Sequence, residues 1–211
     1  MSAAQHDGVV RRPARTNATR LKIFEASLAL IGQRGHHAVT VDEIAAAAGV
    51  SKGSVYYNFG SKSDLIGQLL RFGTDILLDR LHAAAGPASD SARERMAAMV
   101  RAALLFVEDY PAFAQLWISE MWREPSDWRE VLVTMRADVL GVVRESVAAV
   151  FAERGAVHGP HIAETVDVTA SAIFGSTLLL ARDRQVFAAE HSVEACVRTI
   201  LGSLDAAPAS R

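Results

Sequence analysis

The chain has 211 residues, of which 50% are apolar and 22% charged, an ordinary globular profile that excludes a wholly disordered or collagen-like polymer. Its one cysteine, Cys196, excludes an intrachain disulfide and a paired-cysteine zinc site. The net charge of −2 conceals an asymmetry: residues 1–65 carry eight Lys/Arg against five Asp/Glu, a balance of +3, and residues 66–211 carry 14 against 19, or −5, so a basic head directs attention to an anionic partner, nucleic acid first.

Residues 1–15, with Arg11, Arg12, Arg15, Gly8 and Pro13 and no apolar periodicity, read as a flexible basic arm. They do not resemble a signal peptide. From about Asn17, Leu21, Phe24, Leu28 and Ile31 recur at spacings of three and four, and Gly35 is placed to stop the helix. Thr40 with Glu43 makes a capping box for a second helix, which Gly49 ends. Ser51 can cap a short third helix to about Phe59, on which Tyr56 and Phe59, three apart, are expected to share the buried face. Ser61 caps a fourth bearing Leu65, Leu69, Phe72 and Ile76, and Gly86-Pro87 follows it.

The remaining chain is helical throughout. Ser91 and Glu94 suggest another capping box, Pro111 suits the first turn of a helix, and Pro125 interrupts the chain. A long helix is predicted from near Asp127 to Gly155, another from about His161 to Arg182, and a last from about Ser192 to Leu204. The longest apolar run in the second of these, Ile173 to Ala181, is far short of the ~20 residues that span a bilayer, so a cytoplasmic location is expected. The fold class is all-α, with about nine helices. Its expected domains are a flexible arm over 1–15, a three-helix head over 16–65, a larger helical body over 66–204, and a flexible tail over 205–211.

Two short helices joined through Gly49-Val50 have the layout of a helix-turn-helix, whose second helix enters the major groove with its N-terminus leading. Lys52, Ser51 and Ser54 cluster at that N-terminus, adding a charge and two hydroxyls to backbone N–H groups that can meet phosphate. The run Thr40-Val41-Asp42-Glu43-Ile44-Ala45, then Ala48-Gly49-Val50-Ser51-Lys52-Gly53-Ser54-Val55-Tyr56-Tyr57-Asn58-Phe59 and Ser61-Lys62-Ser63-Asp64-Leu65, resembles the DNA-binding signature of the TetR/AcrR family of bacterial transcriptional regulators. The likeness spans Asn17 to Leu65. The later residues agree with the family only in helical character and total length.

The resemblance implies an all-helical homodimer that binds a palindromic double-stranded operator and is released by a small apolar inducer. It implies that Thr40 and Lys62 meet phosphate, that Lys52 and Gly53 sit at the tip of the recognition helix, and that Ser54 touches phosphate or a base edge. Tyr57 would lie against the backbone or a thymine methyl. Ser51 can cap its helix and still offer a backbone amide, and Asn58 is left between reading a base and being solvated. The sequence departs from the family at Tyr57-Asn58, where histidines are frequent, and at Ser63, where an acidic residue is common.

By analogy with the family's four-helix interface, the last two helices are expected to form the dimer seam. The stripes are Val166, Ala170, Ile173, Thr177 and Leu180 on one and Val193, Val197, Ile200 and Leu204 on the other; the alternative for both is intrachain core. A dense set of large soft residues nominates a ligand pocket from Met99, Phe106, Tyr110, Phe113, Trp117, Met121, Trp122, Trp128, Met135 and Phe174, with Tyr110, Gln115, Ser119, Glu120 or Arg123 as polar lining, although core packing explains most of them. The chain lacks a phosphate-cradling glycine loop and a nucleophile elbow, so no enzyme is expected, nor any cofactor or metal. The rival reading is a helical protein–protein module without ligand control, which operator binding would distinguish.

Overall fold

Short polar side chains start each of the helices that follow a turn in the head. The computed structural model describes residues 12–86, 91–123, 126–155, 161–187 and 191–205, and among them the secondary structure is nine α-helices. The first, α1 (Arg12–Ala38), begins before the expected Asn17, so Arg12 and Arg15 belong to a helix rather than to an arm; the rest of the expected arm lies outside the described residues. Gly35, at φ 73° and ψ 157°, breaks its helical path near the end. Thr40 caps α2 (Val41–Ala48): its Oγ1 accepts from the Glu43 N–H at 3.2 Å, and Glu43 Oε2 accepts from the Thr40 N–H at 2.8 Å, which closes the capping box. Gly49, left-handed at φ 65°, ends the helix. Ser51 caps α3 (Lys52–Phe59) and Ser61 caps α4 (Lys62–Ala84), each hydroxyl accepting the backbone N–H three residues on.

Ile23, Phe24, Ile31, Ile44, Val55, Phe59 and Leu65 fill the head's interior. Tyr56 does not share that interior as its spacing predicts; it is 44% exposed. Val55, four residues before Phe59, takes the buried position, because i and i+4 lie on one side of so short a helix. The Arg20 guanidinium lies 4.5 Å from the Phe59 ring centroid and donates to Asn58 O and Gln68 Oε1, fastening α1 to the end of α3 and to α4.

The body comprises α5 (Ala92–Asp109), α6 (Pro111–Met121), α7 (Arg129–Glu153), α8 (Ile162–Val186) and α9 (Val193–Asp205). Ser91 stands at the α5 N-cap without a side-chain cap bond. The Ala92 N–H instead donates to the Glu153 carboxylate at 2.8 and 2.9 Å, so α7 supplies the partner that a capping box would have given. Buried apolar residues from Ile23 to Leu204 form one continuous core across head and body. Two glycines let α6 approach the head closely. A Cβ on Gly32 of α1 would stand 2.6 Å from Ala112 Cβ, and one on Gly73 of α4 would stand 2.2 Å from the Phe113 ring.

The stripes expected at a dimer seam are occupied within the chain. Ala170, Ile173, Thr177, Val197, Ile200 and Leu204 are buried, and Val166, Leu180 and Val193 pack half-buried on the same core. Periodicity identifies the face a helix buries, and here α5 and α7 already cover it. The outward side of α8 carries Val168 and Leu179, each 63% exposed, with Ala172 and Gly175 between them. By length and composition α8 could cross a membrane, having a mean hydropathy of 1.2 over its most apolar 18 residues, of which 17% are buried. Asp205, assigned in sequence to a flexible tail, ends α9 and accepts from Arg93 at 2.9 Å and Arg154 at 2.7 Å; the residues beyond it lie outside those described.

Candidate nucleic-acid interface and apolar cavity

The start of α3 presents Ser51, Lys52 and Gly53 to solvent, and Tyr57, one turn further, is 87% exposed. A large aromatic ring left this open is bare of any packing duty, unlike its neighbours Val55 and Phe59. A Cβ on Gly53 would meet nothing nearer than Ser51 Oγ at 3.8 Å, so packing within the chain does not require this glycine. The backbone here is left open to close approach from outside. The unpaired N–H groups of the first turn and the helix dipole add partial positive charge to that of Lys52.

Lys52 is not idle. Its Nζ donates to Asp42 Oδ2 at 2.8 Å, and that hydrogen bond, with the carboxylate's charge, raises the lysine's pKa above its ordinary value. The Thr40 hydroxyl is exposed but engaged, accepting from the Glu43 N–H and donating to Glu43 Oε2 at 2.9 Å. Glu43 is held at a pKa of about 2, first by the Arg34 hydrogen bond and then by the Thr40 backbone and hydroxyl. Ser54 is half-buried with its Oγ 2.9 Å from Ser51 Oγ, and Lys62 is half-buried in the first turn of α4. Asn58 stands apart from the exposed row. It is half-buried, its Nδ2 donates to Ser54 O at 2.7 Å, and its Oδ1 is enclosed without a partner, so it is not the solvated residue that one expectation allowed.

A polar junction joins head to body. His36, 7% exposed near the end of α1, places Nε2 2.9 Å from Oε1 of the buried Glu120 on α6. The Arg123 guanidinium donates to His37 Nε2 at 2.6 Å and to Glu120 Oε1 at 3.3 Å. Burial, the largest influence, lowers the His36 pKa below 6.5 in spite of the carboxylate, so the ring is neutral near pH 7 and its Nε2–H donates to Glu120. The Trp128 ring meets His36 edge-on with centroids 4.9 Å apart, and its Nε1–H donates to Ser63 O at 2.9 Å. Trp128 thus pins the first turn of α4 to the start of α7.

The body holds an apolar cavity of about 620 Å³ counting its open mouth, of which about 50 Å³ is free interior. Of the expected pocket residues, Met99, Phe106, Trp117 and Phe174 line it. Tyr110 packs on Phe106, Phe113 fills the notch at Gly73, and Met135 is buried elsewhere in the core. Met121 and Trp122 line surface grooves instead, Trp122 being 79% exposed, and Trp128 belongs to the head–body junction. None of the five expected polar residues is in the lining. Sequence reasoning missed Leu77 and Leu81, which α4 contributes from one face, four residues apart, and Ile173 and Thr177, which it assigned to the seam. Thr177 Oγ1 and Trp117 Nε1 are buried without hydrogen-bond partners. Among the described residues no group of three or more His, Cys, Asp or Glu could hold a metal ion.

A small helix-turn-helix head is joined through α4 to a larger all-helical body with an apolar cavity. Residues 23–69 match the pattern of bacterial regulatory proteins of the tetR family. The transcriptional repressor KstR2 of Mycobacterium tuberculosis H37Rv is 37% identical over 70 residues, 33% of this chain and 35% of that protein. The transcriptional activator FasR of Mycolicibacterium smegmatis is 32% identical over 119 residues, 56% of this chain and 54% of that one. The chain therefore spans about a quarter to a half of the curated relatives it matches. Among solved structures, the regulator FadR of Bacillus subtilis in complex with stearoyl-CoA superposes with a TM-score of 0.75 at 17% identity, covering 90% of this chain and 99% of that one, a likeness of fold.

Proposed function

We propose that this protein is a ligand-responsive transcriptional regulator that binds a palindromic operator as a homodimer, represses from it, and leaves it when a small apolar effector enters the body. The observation that carries the reading is the exposed tip of α3, where Gly53 and Tyr57, which have no packing role within the chain, stand open beside Lys52 and the capping Ser51. One eight-residue helix reads few bases. Two-fold symmetry places two such helices on half-sites about 34 Å or more apart. A cover for the apolar outward side of α8 is the second copy that this symmetry requires, since a poorly buried apolar helix is an association surface.

The cavity, walled in part by α4, is the effector site in this reading. A ligand that fits the body better in one arrangement shifts the population toward it, and recognition helices spaced wrongly for the operator release the DNA. The fold of a regulator solved with stearoyl-CoA supports an apolar ligand for a body of this shape. In a selection from random duplexes the purified full chain should recover an inverted repeat. Lys52→Ala should then bind the recovered site more weakly, and its log–log salt slope should be shallower by about 0.9, the worth of a single neutralised phosphate. Recovery of no sequence, or an unchanged slope, refutes the DNA assignment and favours a protein–protein module.

A further inference from the structure

Only Val55 and Phe59 of α3 are buried, and a helix of eight residues is marginal by itself, so its neighbours set its position. Hydrogen bonds hold each end. At the front, Ser51 caps the helix, the Val50 N–H donates to Ala45 O at 2.9 Å, and Lys52 reaches Asp42 at 2.8 Å, so this end is tied to α2. The last carbonyls of a helix lack partners within it and must find them elsewhere. The Asn58 carbonyl is met from 38 residues away, accepting from Nη1 of Arg20 on α1 at 2.8 Å.

Arg20 is half-buried and does more than close that carbonyl. Its guanidinium lies 4.5 Å from the ring centroid of Phe59, the last residue of α3, and 5.8 Å from that of Phe24, and its Nη2 donates to Gln68 Oε1 of α4 at 2.6 Å. One planar fork therefore joins α1, α3 and α4 at the rear of α3, and its charge stands at the negative end of that helix's dipole. A lysine's compact ammonium lacks the fork. The displacements that matter are small. With a rise of 1.5 Å per residue, a tilt of about 10° about the front end of α3 carries Tyr57, five residues past Lys52, by about 1.3 Å. A hydrogen bond tolerates about half an ångström.

We propose that Arg20 is a positioning residue for sequence recognition: without touching DNA, it holds the rear of α3 at the tilt that base contacts require. This rests on the reading of α3 as the recognition helix. Its consequence is a separation of two quantities. Attraction to phosphates is long-ranged and carries no sequence information, so it survives a small tilt of α3, whereas contacts to base edges do not. Loss of the Arg20 fork should therefore reduce discrimination between sequences while leaving affinity for DNA as such.

Fluorescence anisotropy of the full-length protein tests this on two duplexes of equal length, the inverted repeat recovered by selection and a scrambled version of it. Circular dichroism at the binding temperature checks that each variant is folded. Arg20→Met keeps an unbranched stem against Phe24 and Phe59 and removes the donors. It should lose about tenfold in the ratio of operator to scrambled affinity, the worth of one mismatched base pair. Scrambled-duplex affinity should stay within about twofold, with the salt slope unchanged. Arg20→Lys should recover only part of the ratio. Gln68→Leu should lower it by a smaller factor, and Arg20→Met with Gln68→Leu should fall no further than Arg20→Met alone, since both remove one contact. Gln68→Leu leaves the arginine on Phe59 and Asn58, so it carries the test where Arg20→Met does not fold. An unchanged ratio overturns the proposal, as do equal losses on both duplexes, which mark a merely structural residue. A slope shallower by about 0.9 makes Arg20 a phosphate contact and overturns it as well. Full recovery by Arg20→Lys assigns the effect to charge and overturns the fork. Selection with the unaltered protein that recovers no sequence refutes instead the reading of α3 on which the proposal stands.

Discussion

Gly73 is the position where one added carbon should have the largest effect on the join between head and body. In Gly73→Ala the new Cβ would stand 2.2, 2.4 and 2.6 Å from three carbons of the Phe113 ring. Ordinary contact begins at 3.4 Å, so the ring must retreat by about 1.2 Å. It has nowhere easy to go, being 1% exposed and flanked by Phe106 and Trp117 with ring centroids 5.7 and 5.9 Å away. Overpacking of this depth costs about 3 kcal/mol, the upper part of the usual range, and alanine's better helix propensity returns about 1 kcal/mol. The net loss of about 2 kcal/mol corresponds to a fall in Tm of roughly 4–8 °C for a chain of this size. Thermal melts followed by circular dichroism measure it. Gly141→Ala, where an added Cβ meets nothing within 4 Å, is the control and should leave Tm unchanged or raise it. Phe113→Leu introduced beside Gly73→Ala should recover part of the loss by shrinking the opposing group. A Gly73→Ala protein as stable as the original, or one that Phe113→Leu damages further, would refute the claim that this glycine exists to admit the ring.

Asp42→Asn should strengthen the proposed operator binding severalfold, because it removes the charge that holds Lys52 at 2.8 Å and with it a negative charge from the face proposed to meet phosphate; unaltered affinity at low salt would mean that the pair does not compete with DNA. The buried His36 gives a pH dependence of definite sign. Its folded-state pKa lies below 6.5, so the unfolded chain takes up the proton first. Its contribution is complete above about pH 6.5 and is lost as the pH falls toward the lower folded value. Urea midpoints between pH 7.5 and 5 should therefore decline less steeply in His36→Gln than in the unaltered protein, and parallel declines would exclude His36 as the source.

The head is legible in the sequence because its signals are local. Thr40, Ser51 and Ser61 cap the helices they precede, and Gly49 stops α2, through bonds that span a few residues. Tyr56 escapes such reasoning because an eight-residue helix has so few apolar positions that two phases fit it, and only the Val55–Phe59 phase meets the α1 core. The cavity is harder for a different reason. Aromatic density between Phe106 and Trp128 suggests its location, but proximity in sequence is not proximity in space, and the walls are drawn from α4, α5, α6, α7 and α8. The stripes on α8 and α9 are apolar as their spacing predicts. What periodicity cannot state is which molecule covers a stripe, and the monomer's own helices do so.

The position of α6 explains how a ligand inside the body could be felt at the DNA surface. Ala112 occupies the notch at Gly32 of α1, and Phe113 the notch at Gly73 of α4. Ala114 and Trp117, on the same short helix, form part of the cavity wall, and Glu120 holds His36 at the end of α1. From Ala112 to Glu120 the helix rises only about 12 Å, too short a distance for it to bend. On the proposed reading, a ligand that shifts α6 would carry the two notches with it, since a packed notch has little free volume to absorb a displacement. Since α1 and α4 are both keyed to α6, and α2 and α3 pack against α1 and α4, the proposed recognition helix is expected to follow the body. Gly32 and Gly73, which bring the helices into contact, would on this reading serve signalling as well as the fold.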